Sequence, residues 1–347
     1  MGKDDSNGSG KISEVDEFTS ALDVGAEHKL IASSQAMKDV LQLAIRVADF
    51  DCNVCLFGET GVGKEMLARF IHQRSSRRNG PFVVINCGAI PETLFEAELF
   101  GYEKGAFTGA REGGKAGLLE IADRGIAFLD EVSEIPANMQ VKVLRVLEDR
   151  EVMRVGGTSR RTIDVRFIFA ANKNLKELSD KGEFRKDLFY RIDSVLIRIP
   201  PLRERKTGIL DGLDYYVDYY NKKYGLKKAL SRDARDILLN YSWPGNMRQL
   251  SHAVEKLLIT SDSEIISPAD LPAYIHLNHI PAEDIEAKTA IRPLQEAVQD
   301  LERKILSRGL EVYGSTHKLA KVLGVSQPTI VRKMRKLGIT RKYHRWD

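Results

Sequence analysis

Short runs of apolar residues alternate with longer helical patterns as far as Pro200. The strand candidates are residues 53–57, 82–86, 126–130, 165–171 and 195–199. Continuous apolar runs of this length are typical of strands that are buried on both faces. Because helical stretches lie between them, the pattern predicts an α/β domain whose sheet is mainly parallel.

The pattern differs on both sides of this region. The first 30 residues are polar, with Gly and Ser at the start, and we expect a flexible leader there. A helical pattern begins at Leu30, and after Pro201 helical periodicity continues without a convincing strand. The predicted segments are a leader (1–30), an α/β domain (31–201), a helical domain (202–275), a linker (276–292) and a second all-α domain (293–347).

Composition excludes several classes of protein. Of the 347 residues, 43% are hydrophobic and 29% are charged, which is an ordinary mixture for a chain that buries a sizeable core. No run of 18 apolar residues occurs, the N-terminus lacks the apolar core of a signal peptide, and three cysteines are too few for a disulfide framework. We therefore expect a cytoplasmic protein with reduced thiols and no membrane partner.

The net charge of +4 conceals an asymmetry along the chain. Residues 316–347 contain nine Lys or Arg and one acid, Asp347, and so carry a charge of +8, whereas the remaining residues carry −4. An acidic body with a basic end indicates that only the C-terminus meets a polyanion. The alternative is a solvated basic tail without a partner.

A helix, a short glycine turn and a second helix within this basic end form a helix-turn-helix pattern. Ser326 is a candidate N-cap, and at about 100° per residue Ile330, Met334 and Leu337 fall on one side of the last helix. A basic face beside such a core-facing stripe suits the major groove of double-stranded DNA. The candidate DNA-binding residues are Ser326, Gln327, Thr329, Arg332, Lys333 and Lys336.

A glycine-rich loop follows the first strand candidate. Residues 58–64 fit the pattern G-x-x-x-x-G-K, and a helical pattern comes next. Glycines let backbone N–H groups surround phosphates, and Lys64 can reach the β- and γ-phosphates. Glu65 follows instead of Ser or Thr, so the usual hydroxyl ligand for magnesium is missing. The predicted nucleotide-binding residues are Gly58, Glu59, Thr60, Gly61, Val62, Gly63, Lys64 and Glu65.

Two adjacent carboxylates stand where the apolar strand candidate 126–130 ends. At the carboxyl edge of a parallel sheet, Asp130 would lie near a magnesium ion and Glu131 near an attacking water, as ATP hydrolysis requires. Two adjacent acids alone mean little, but together with the glycine-rich loop they indicate an ATPase that uses ATP and Mg²⁺.

Three motifs resemble those of the AAA+ activators of sigma-54 RNA polymerase, the bacterial enhancer-binding proteins. Residues 58–65 match the phosphate loop of that family, including the glutamate after the lysine. Residues 105–110, Gly-Ala-Phe-Thr-Gly-Ala, match its hallmark loop letter for letter, and residues 243–250 resemble its lid motif. The resemblance runs from about Leu30 to Tyr274 and implies an AAA+ α/β subdomain followed by a helical lid.

The hallmark loop can also be interpreted from its residues. Residues 101–117 hold six glycines, through which a helix cannot continue comfortably. Phe107 is therefore an aromatic side chain in a mobile loop, where it is costly to leave in water unless it contacts a partner. In the family this loop contacts sigma-54 in a nucleotide-dependent way. The implied contact residues are Gly105, Ala106, Phe107, Thr108, Gly109 and Ala110.

Other roles follow from the resemblance by position. Asn172, after the strand candidate 165–171, resembles the residue that senses the γ-phosphate. Asn86 resembles the asparagine that holds the catalytic Glu131 between turnovers, and Arg248 resembles the lid arginine that senses nucleotide. Arginine suits such a task because its fixed charge and planar fork match phosphate oxygens.

Two further arginines imply an assembly. Arg185 and Arg191 resemble the arginines that one subunit supplies to the ATP of its neighbour, although which of them is the main finger stays open. We therefore expect a hexameric ring. Residues 314–339 resemble the DNA-binding module of the factor-for-inversion-stimulation type, closest to its tyrosine-repressor variant, and such modules dimerise on palindromic sites.

The resemblance implies an ATP-driven transcription activator. Its ring would remodel promoter-bound sigma-54 RNA polymerase holoenzyme, and the basic C-terminus would hold it at an upstream DNA site. One alternative is a regulator of the tyrosine-repressor type whose AAA+ domain works without sigma-54; the intact hexapeptide argues against it. Another is an AAA+ protein-remodelling chaperone, against which the helix-turn-helix argues. Because the leader leaves no room for a sensory domain, we expect control in trans or by expression level, unless the chain is truncated.

Two other motifs are interpreted as structural. Cys52 and Cys55 form a C-x-x-C motif, but only Cys87 remains as a further thiol, so a four-cysteine zinc site is impossible. The two cysteines lie where an apolar strand candidate begins, so we expect their side chains to be buried and to pack in the core. His276 and His279 have no third ligand in sight and are predicted to lie on the surface.

Overall fold

The computed structural model describes residues 21–24, 29–109, 111–277 and 294–339. The chain divides into two compact units, of which the first ends at His279 and the second begins at Ile280. Within the described ranges, no helix is both long enough and apolar enough to cross a membrane.

The first unit opens with an α/β region. Its strands are β1 (Ala21–Leu22), β2 (Leu30–Ile31), β3 (Val54–Phe57), β4 (Phe82–Asn86), β5 (Gly101–Tyr102), β6 (Lys115–Ala116), β7 (Ile126–Asp130), β8 (Glu151–Met153), β9 (Arg160–Thr162), β10 (Arg166–Ala171) and β11 (Leu196–Arg198). Its helices are α1 (Gln35–Ala48), α2 (Lys64–Arg74), α3 (Glu92–Phe100), α4 (Leu118–Ile121), α5 (Ala137–Asp149), α6 (Leu175–Asp180) and α7 (Lys186–Ile192).

Five of these strands form one parallel sheet in the order β11-β3-β10-β7-β4. They are the five strands that the apolar runs predicted, so the predicted α/β class with a parallel sheet is confirmed. Every residue of the central strand β10 is buried. Because all five strands run in the same direction, their carboxyl ends meet at a single edge, and the loops after them lie close together.

Two apolar clusters cover the two faces of this sheet. Along β7, Ala127 and Leu129 belong to one cluster, whereas Ile126 and Phe128 belong to the other. Successive side chains of a strand point to opposite faces, so a strand between two helical layers must be apolar at every position. This requirement explains the continuous apolar runs in the sequence.

The N-terminal part of the fold differs from the prediction. Leu30 and Ile31 do not begin a helix but pair as strand β2 with β1. Helix α1 begins at Gln35, after Ser34 accepts a 3.2 Å hydrogen bond from the Met37 amide. The expectation of a flexible leader was therefore wrong for β1, because a two-residue strand is too short to show a hydrophobic period.

The predicted lid completes the first unit. It contains α8 (Lys206–Tyr224), β12 (Ala229–Leu230), α9 (Arg232–Asn240), α10 (Asn246–Thr260), β13 (Ile265–Ile266) and α11 (Ala273–Leu277). The expectation of a strandless lid was wrong, because β12 and β13 pair in parallel. Each has two residues and again shows no period. The lid core includes the fully buried Trp243, whose indole N–H donates to the Leu238 carbonyl at 2.8 Å.

The second unit consists of three helices in its described part: α12 (Leu294–Tyr313), α13 (Thr316–Val322) and α14 (Gln327–Lys336). Ile330 and Leu337 are buried, and Met334 packs against the same small core. The predicted core-facing stripe of the last helix is therefore present. Helices α13 and α14 are joined through Gly324, whose φ is +65°, and form the predicted helix-turn-helix.

Candidate functional site

The phosphate-binding loop, residues 58–65 and called the P-loop below, connects β3 to α2. Its first amide, from Gly58, donates to the Ala171 carbonyl at the end of β10. Gly61 and Gly63 have φ angles of +79° and +106°, which side-chain-bearing residues rarely adopt. The Lys64 ammonium donates to the carbonyls of Gly58 at 2.8 Å and Glu59 at 3.2 Å. Burial lowers the pKa of Lys64.

A cavity of about 280 Å³ lies beside the P-loop and extends to the lid. The P-loop and the carboxyl end of β7 form one part of its lining, and both apolar and polar side chains line the remainder. The lining residues are 60–66 together with Lys29, Leu30, Ile31, Asp130, Glu131, Arg205, Tyr216, Met247, Arg248, Ser251 and His252.

The two predicted carboxylates lie at this cavity. Asp130 ends β7 and pairs in register with Asn86 at the end of β4. Glu131 has a φ of +54°, and its amide donates to the Asp130 carboxylate at 2.9 Å. A non-glycine residue in this backbone region is uncommon and is typical of functional sites. The carboxylates and the Lys64 ammonium therefore converge on one edge of the sheet.

The predicted contact between Asn86 and Glu131 is not made in this conformation. Asn86 accepts hydrogen bonds from the amides of Gly88 and Ala89, each at 3.0 Å, through its side-chain oxygen. The Glu131 carboxylate instead approaches Gly88, where an added Cβ atom would lie 2.3 Å from its Oε2. The two residues are close neighbours at the sheet edge, but Asn86 is occupied by the turn after β4.

Asn172 directly follows β10, where the sequence predicted a residue that senses the γ-phosphate. Its side-chain oxygen is buried and has no hydrogen-bond partner among the described residues. A buried oxygen without a hydrogen-bond partner is rare in proteins, and we expect it to accept a hydrogen bond from water or from a ligand. Asn172 lines a groove together with Gly58 and Glu59, and it is not among the residues that line the cavity.

The donor set at the cavity fits a magnesium ion that also binds phosphates. Within the described ranges, no group of three or more His, Cys, Asp or Glu side chains could hold a metal ion by itself. Mg²⁺ usually takes only one or two carboxylates and completes its shell with water and phosphate oxygens. Asp130 can supply such a carboxylate. Glu65 is engaged by Arg69, whose guanidinium donates to it at 2.8 and 2.9 Å.

The structure separates the three predicted arginines. Arg248 lines the cavity beside the P-loop. Arg185 and Arg191 do not line it: the Arg185 guanidinium pairs with Asp187 at 2.7 Å, and that of Arg191 donates to the Leu147 carbonyl at 3.0 Å. Both lie exposed on the α/β region. The structure therefore brings Arg248 to the site of its own chain and leaves the other two at the surface.

Several residues of the lid and of the linker that precedes it, residues 199–205, contact the P-loop without having been predicted. The Glu59 carboxylate accepts two hydrogen bonds from Arg203, at 2.7 and 2.9 Å, and one from Asn246 at 3.1 Å. The Arg203 hydrogen bonds hold the pKa of Glu59 below its usual value. Asn246 belongs to the lid motif 243–250, so the sequence contained this signal although only Arg248 was given a role. Arg205 lines the cavity and had no recognised signal.

The hallmark loop connects the antiparallel strands β5 and β6. Phe107 is 41% exposed, and its ring packs edge-on against Tyr102 with 5.0 Å between the ring centroids. Among the described residues, no atom beyond the immediate chain neighbours lies within 4 Å of a Cβ added to Gly105 or Gly109, so there is open space at these two positions on either side of Phe107. Ala110, also predicted as a contact residue, lies outside the described residues.

A second hairpin, formed by β8 and β9, supports the base of this loop. The Glu103 amide donates to the Val155 carbonyl at 3.0 Å, and a Cβ added to Gly156 would lie 3.0 Å from that of Ala106. Arg154 donates twice to Glu120, at 2.7 and 2.8 Å. Partial burial raises the pKa of Glu120, but the hydrogen bonds from Arg154 outweigh it and hold the pKa below its usual value. Sequence reasoning assigned this hairpin no role.

Most predicted DNA-binding residues lie on helix α14. Ser326 occupies the N-cap position, but its hydroxyl lies 2.8 Å from that of Thr329 and makes no capping bond. Arg332 and Lys336 are exposed, and Gln327 donates to the Thr316 hydroxyl at 3.4 Å. Lys333 instead forms an ion pair with Glu302 of α12 and is therefore less available to an external partner.

The cysteines and His276 are in the places expected of structural residues. All three cysteines are free, and Cys55 and Cys87 are buried. Burial raises the pKa of the Cys55 thiol to about 12, so it carries no thiolate at neutral pH. His276 is exposed and its ring contacts the Pro268 carbonyl at 2.9 Å. His279 lies outside the described residues.

The fold and the site together define an AAA+ protein with a helical lid and a helix-turn-helix unit. Family models match three consecutive parts of the chain: a sigma-54 interaction domain at residues 30–198, an AAA+ ATPase lid domain at 203–288 and a helix-turn-helix domain at 292–340. The chain belongs to the family of sigma-54-dependent transcriptional regulators.

Individual relatives cover most of this chain. Regulatory protein AtoC of Escherichia coli is 37% identical over 314 residues, which are 89% of this chain and 68% of AtoC. A Geobacillus stearothermophilus protein named limonene hydroxylase is 42% identical over 315 residues, which are 90% of this chain. Because this chain spans only 56% of that protein, the name assigns no activity to the shared part.

The structure is similar to that of NtrX from Brucella abortus, which was solved in complex with ATP. The two chains are 36% identical and superpose with a TM-score of 0.67. The similarity covers 89% of this chain and 70% of NtrX. Like the relatives above, NtrX is thus longer than the region that it shares with this chain.

Proposed function

We propose that this chain is an ATP-hydrolysing transcription activator that binds upstream DNA and remodels sigma-54 RNA polymerase. One observation carries this proposal: the described part of the hallmark loop, residues 105–109, lies between the strands of a supported hairpin, with the Phe107 side chain 41% exposed, on the same unit as the nucleotide cavity. An exposed aromatic side chain between glycines is suited to contact a partner protein.

ATP binding is supported by the P-loop and by the ATP complex of NtrX. In the proposed complex, the P-loop amides and Lys64 bind the phosphates, and Asp130 holds Mg²⁺, which would neutralise phosphate charge. Glu131 is the proposed base that orients and deprotonates the attacking water. The unpartnered oxygen of Asn172 and the guanidinium of Arg248 are the proposed sensors of the γ-phosphate and of the bound nucleotide.

Completion of the site by a neighbouring subunit is part of the proposal. Arg185 and Arg191 are exposed and do not line the cavity of their own chain. In a hexameric ring, one or both would reach the ATP of the adjacent subunit and stabilise the charge that develops during phosphoryl transfer. Hydrolysis would then depend on assembly, and each turnover could change the position of the Phe107 loop.

The second unit is the proposed DNA anchor. Arg332 and Lys336 lie exposed on α14, whose basic face can neutralise phosphates beside the major groove. A pair of such units would bind a palindromic upstream site. The anchor would raise the local concentration of the ring near the promoter.

Co-elution with purified sigma-54 tests the proposal. The chain is mixed with sigma-54 in ADP plus aluminium fluoride, a mimic of the hydrolysis transition state, and in ADP alone. We expect a complex only with the mimic, and we expect Phe107→Ala to abolish it. Phe50→Ala is the matched control, because Phe50 is 64% exposed but lies far along the chain from the hairpin.

The absence of a complex, in a preparation that hydrolyses ATP and binds DNA, would refute the proposal. The regulator that works without sigma-54 would then be the better account. A complex that survives Phe107→Ala would leave the activator function in place but remove the role of the loop.

A further inference from the structure

Three consecutive carbonyl groups of the P-loop are held by groups from the lid and the linker that precedes it. The Asn246 side-chain amide donates to the Thr60 carbonyl at 3.0 Å. The Met247 backbone amide donates to the Gly61 carbonyl at 3.0 Å. The Arg205 guanidinium donates to the Val62 carbonyl, also at 3.0 Å. Each donor fixes the orientation of one peptide group of the loop.

The orientation of these carbonyls determines the direction of the amides that follow. In a trans peptide the C=O bond and the next N–H bond point to opposite sides, and the described chain has no cis peptide bond. The N–H groups of Gly61, Val62 and Gly63 therefore point away from the lid donors. In the described part of the chain, none of these N–H groups donates to a protein acceptor. Successive free amides of this kind form an anion-binding nest.

The backbone conformation and the side-chain amide of Asn246 both suit its position in this arrangement. It is fully buried and has a φ of +50°, a conformation that Asn tolerates better than most residues. Its side-chain oxygen accepts from the Leu202 amide at 2.7 Å, while its nitrogen donates to Thr60 and to Glu59. One side chain thus connects the linker, the lid and the P-loop.

Arg205 carries a buried charge that folding alone does not explain. It is only 3% exposed, and its Nε has no hydrogen-bond partner among the described residues. Burial lowers its pKa to about 10, so it remains charged at neutral pH. A buried guanidinium that keeps an unsatisfied N–H is costly, and it persists only where the surroundings or a ligand compensate for it. Arg205 lines the nucleotide cavity, where phosphates would supply that compensation.

We propose that Asn246 and Arg205 are positioning residues that, with the Met247 amide, orient the P-loop amides towards the phosphates of the nucleotide. This inference rests on the proposed ATP site. All three donors belong to the lid or to the linker that precedes it. The affinity of the nest for phosphate therefore depends on the position of the lid relative to the P-loop. A displacement of the lid would break these three hydrogen bonds. The peptide groups of the P-loop would then be free to rotate, and the affinity for the phosphates would fall.

Two variants and a control test this role. Arg205→Met removes the donor to Val62, and Asn246→Gly removes the donor to Thr60 without changing the charge and while tolerating a positive φ. Arg166→Met is the matched control. Arg166 is 2% exposed and donates to the carbonyls of Val47 and Ala48, which lie at the end of α1 and not in the P-loop.

The measurement is the affinity of each full-length variant for ATP and for adenosine by calorimetry, together with its melting temperature. Adenosine has no phosphate and therefore makes no hydrogen bond to the P-loop amides that form the nest. We expect all three variants to melt lower than the wild type. We expect Arg205→Met and Asn246→Gly to bind ATP about tenfold more weakly relative to adenosine, and Arg166→Met to keep the wild-type ratio.

The possible results are distinguishable. If the wild type binds no ATP, the proposed function and this inference both fail. If the wild type binds ATP but the two variants keep the wild-type ratio of ATP to adenosine affinity, only the positioning role is overturned. A loss with Arg205→Met but not with Asn246→Gly would also overturn it, since removal of a positive charge from the cavity would then explain the effect.

Discussion

Gly61 of the P-loop packs directly against the carbonyl oxygen of Gly245 in the lid. A Cβ atom added to Gly61 would lie 2.3 Å from that oxygen, and the φ of Gly61 is +79°. The missing side chain of Gly61 thus allows the backbones of the P-loop and the lid to touch. The contact explains why a glycine is required at position 61 for packing as well as for backbone conformation.

Gly61→Ala should therefore separate the lid from the P-loop. We expect ATP affinity to fall more than tenfold, because the clash displaces the donors that hold the loop. Gly182→Ala is the control: the φ of Gly182 is +78°, but within the described ranges no atom beyond its chain neighbours lies within 4 Å of an added Cβ. This control should lose about 1–2 kcal/mol of unfolding free energy and no ATP affinity. Equal ATP affinities for the two variants would show that the lid contact is irrelevant to binding.

Replacement of Glu131 should separate binding from hydrolysis. Glu131→Gln keeps the size of the side chain but removes the base, so we expect ATP binding to persist and turnover to fall about 10²–10⁴-fold. Steady-state ATPase rates and ATP affinities check this expectation. Glu134→Gln is the neighbouring control, because Glu134 pairs with Lys173 at 2.8 Å and does not line the cavity. Turnover above one tenth of the wild-type rate in Glu131→Gln would refute its role as the base.

Mixing of two inactive variants tests whether an arginine acts in trans. Arg185→Ala should bind ATP normally but hydrolyse it slowly, because its side chain lies outside the cavity of its own chain. Glu131→Gln has an intact arginine but no base. In mixed rings, an Arg185→Ala site next to a Glu131→Gln subunit has both groups, so ATPase activity should reappear on mixing. The same experiment with Arg191→Ala identifies the main finger, and no recovery with either variant would argue against action in trans.

The cluster of Arg154 and Glu120 should stabilise the second hairpin in a pH-dependent way. Because the pKa of Glu120 is lowered in the folded state, its contribution is present above the ordinary carboxyl pKa of about 4.3 and is lost as the pH falls through its lowered value. Glu120→Gln should cost about 2 kcal/mol of unfolding free energy at pH 7. Urea unfolding should show this difference shrinking below about pH 4. A difference that stays constant from pH 7 to pH 3 would contradict an ionic contribution.

The basic residues of α14 should differ in their effects on DNA binding. Arg332 is exposed, so Arg332→Ala should weaken binding and reduce the slope of log affinity against log salt by about one. Lys333 is paired with Glu302, so Lys333→Ala should change the slope less and destabilise the second unit more. Salt titrations of DNA binding with thermal melting check both. Equal slopes for the two variants would mean that Lys333 leaves Glu302 when DNA is bound.

Much of the α/β region could be predicted because its signals are local. A strand covered by helices on both faces is apolar along most of its length, and β3, β4, β7, β10 and β11 show that pattern apart from polar residues at the ends of four of them. The P-loop depends on glycines at fixed spacing and on Lys64 at the start of a helix, which are likewise local. The strands of the N-terminal pair and of the lid were missed because two residues show no period.

The sequence by itself determined the fold class, the nucleotide loop, the carboxylates after β7 and the hallmark hexapeptide, since each depends on neighbouring residues or on a short motif. Only the tertiary structure decided that Asn246 and Arg205 hold the carbonyls of Thr60 and Val62, that β8 and β9 support the Phe107 loop, and that Lys333 is paired with Glu302. These contacts join residues far apart in the chain. Their partners are chosen by packing, which no local pattern encodes.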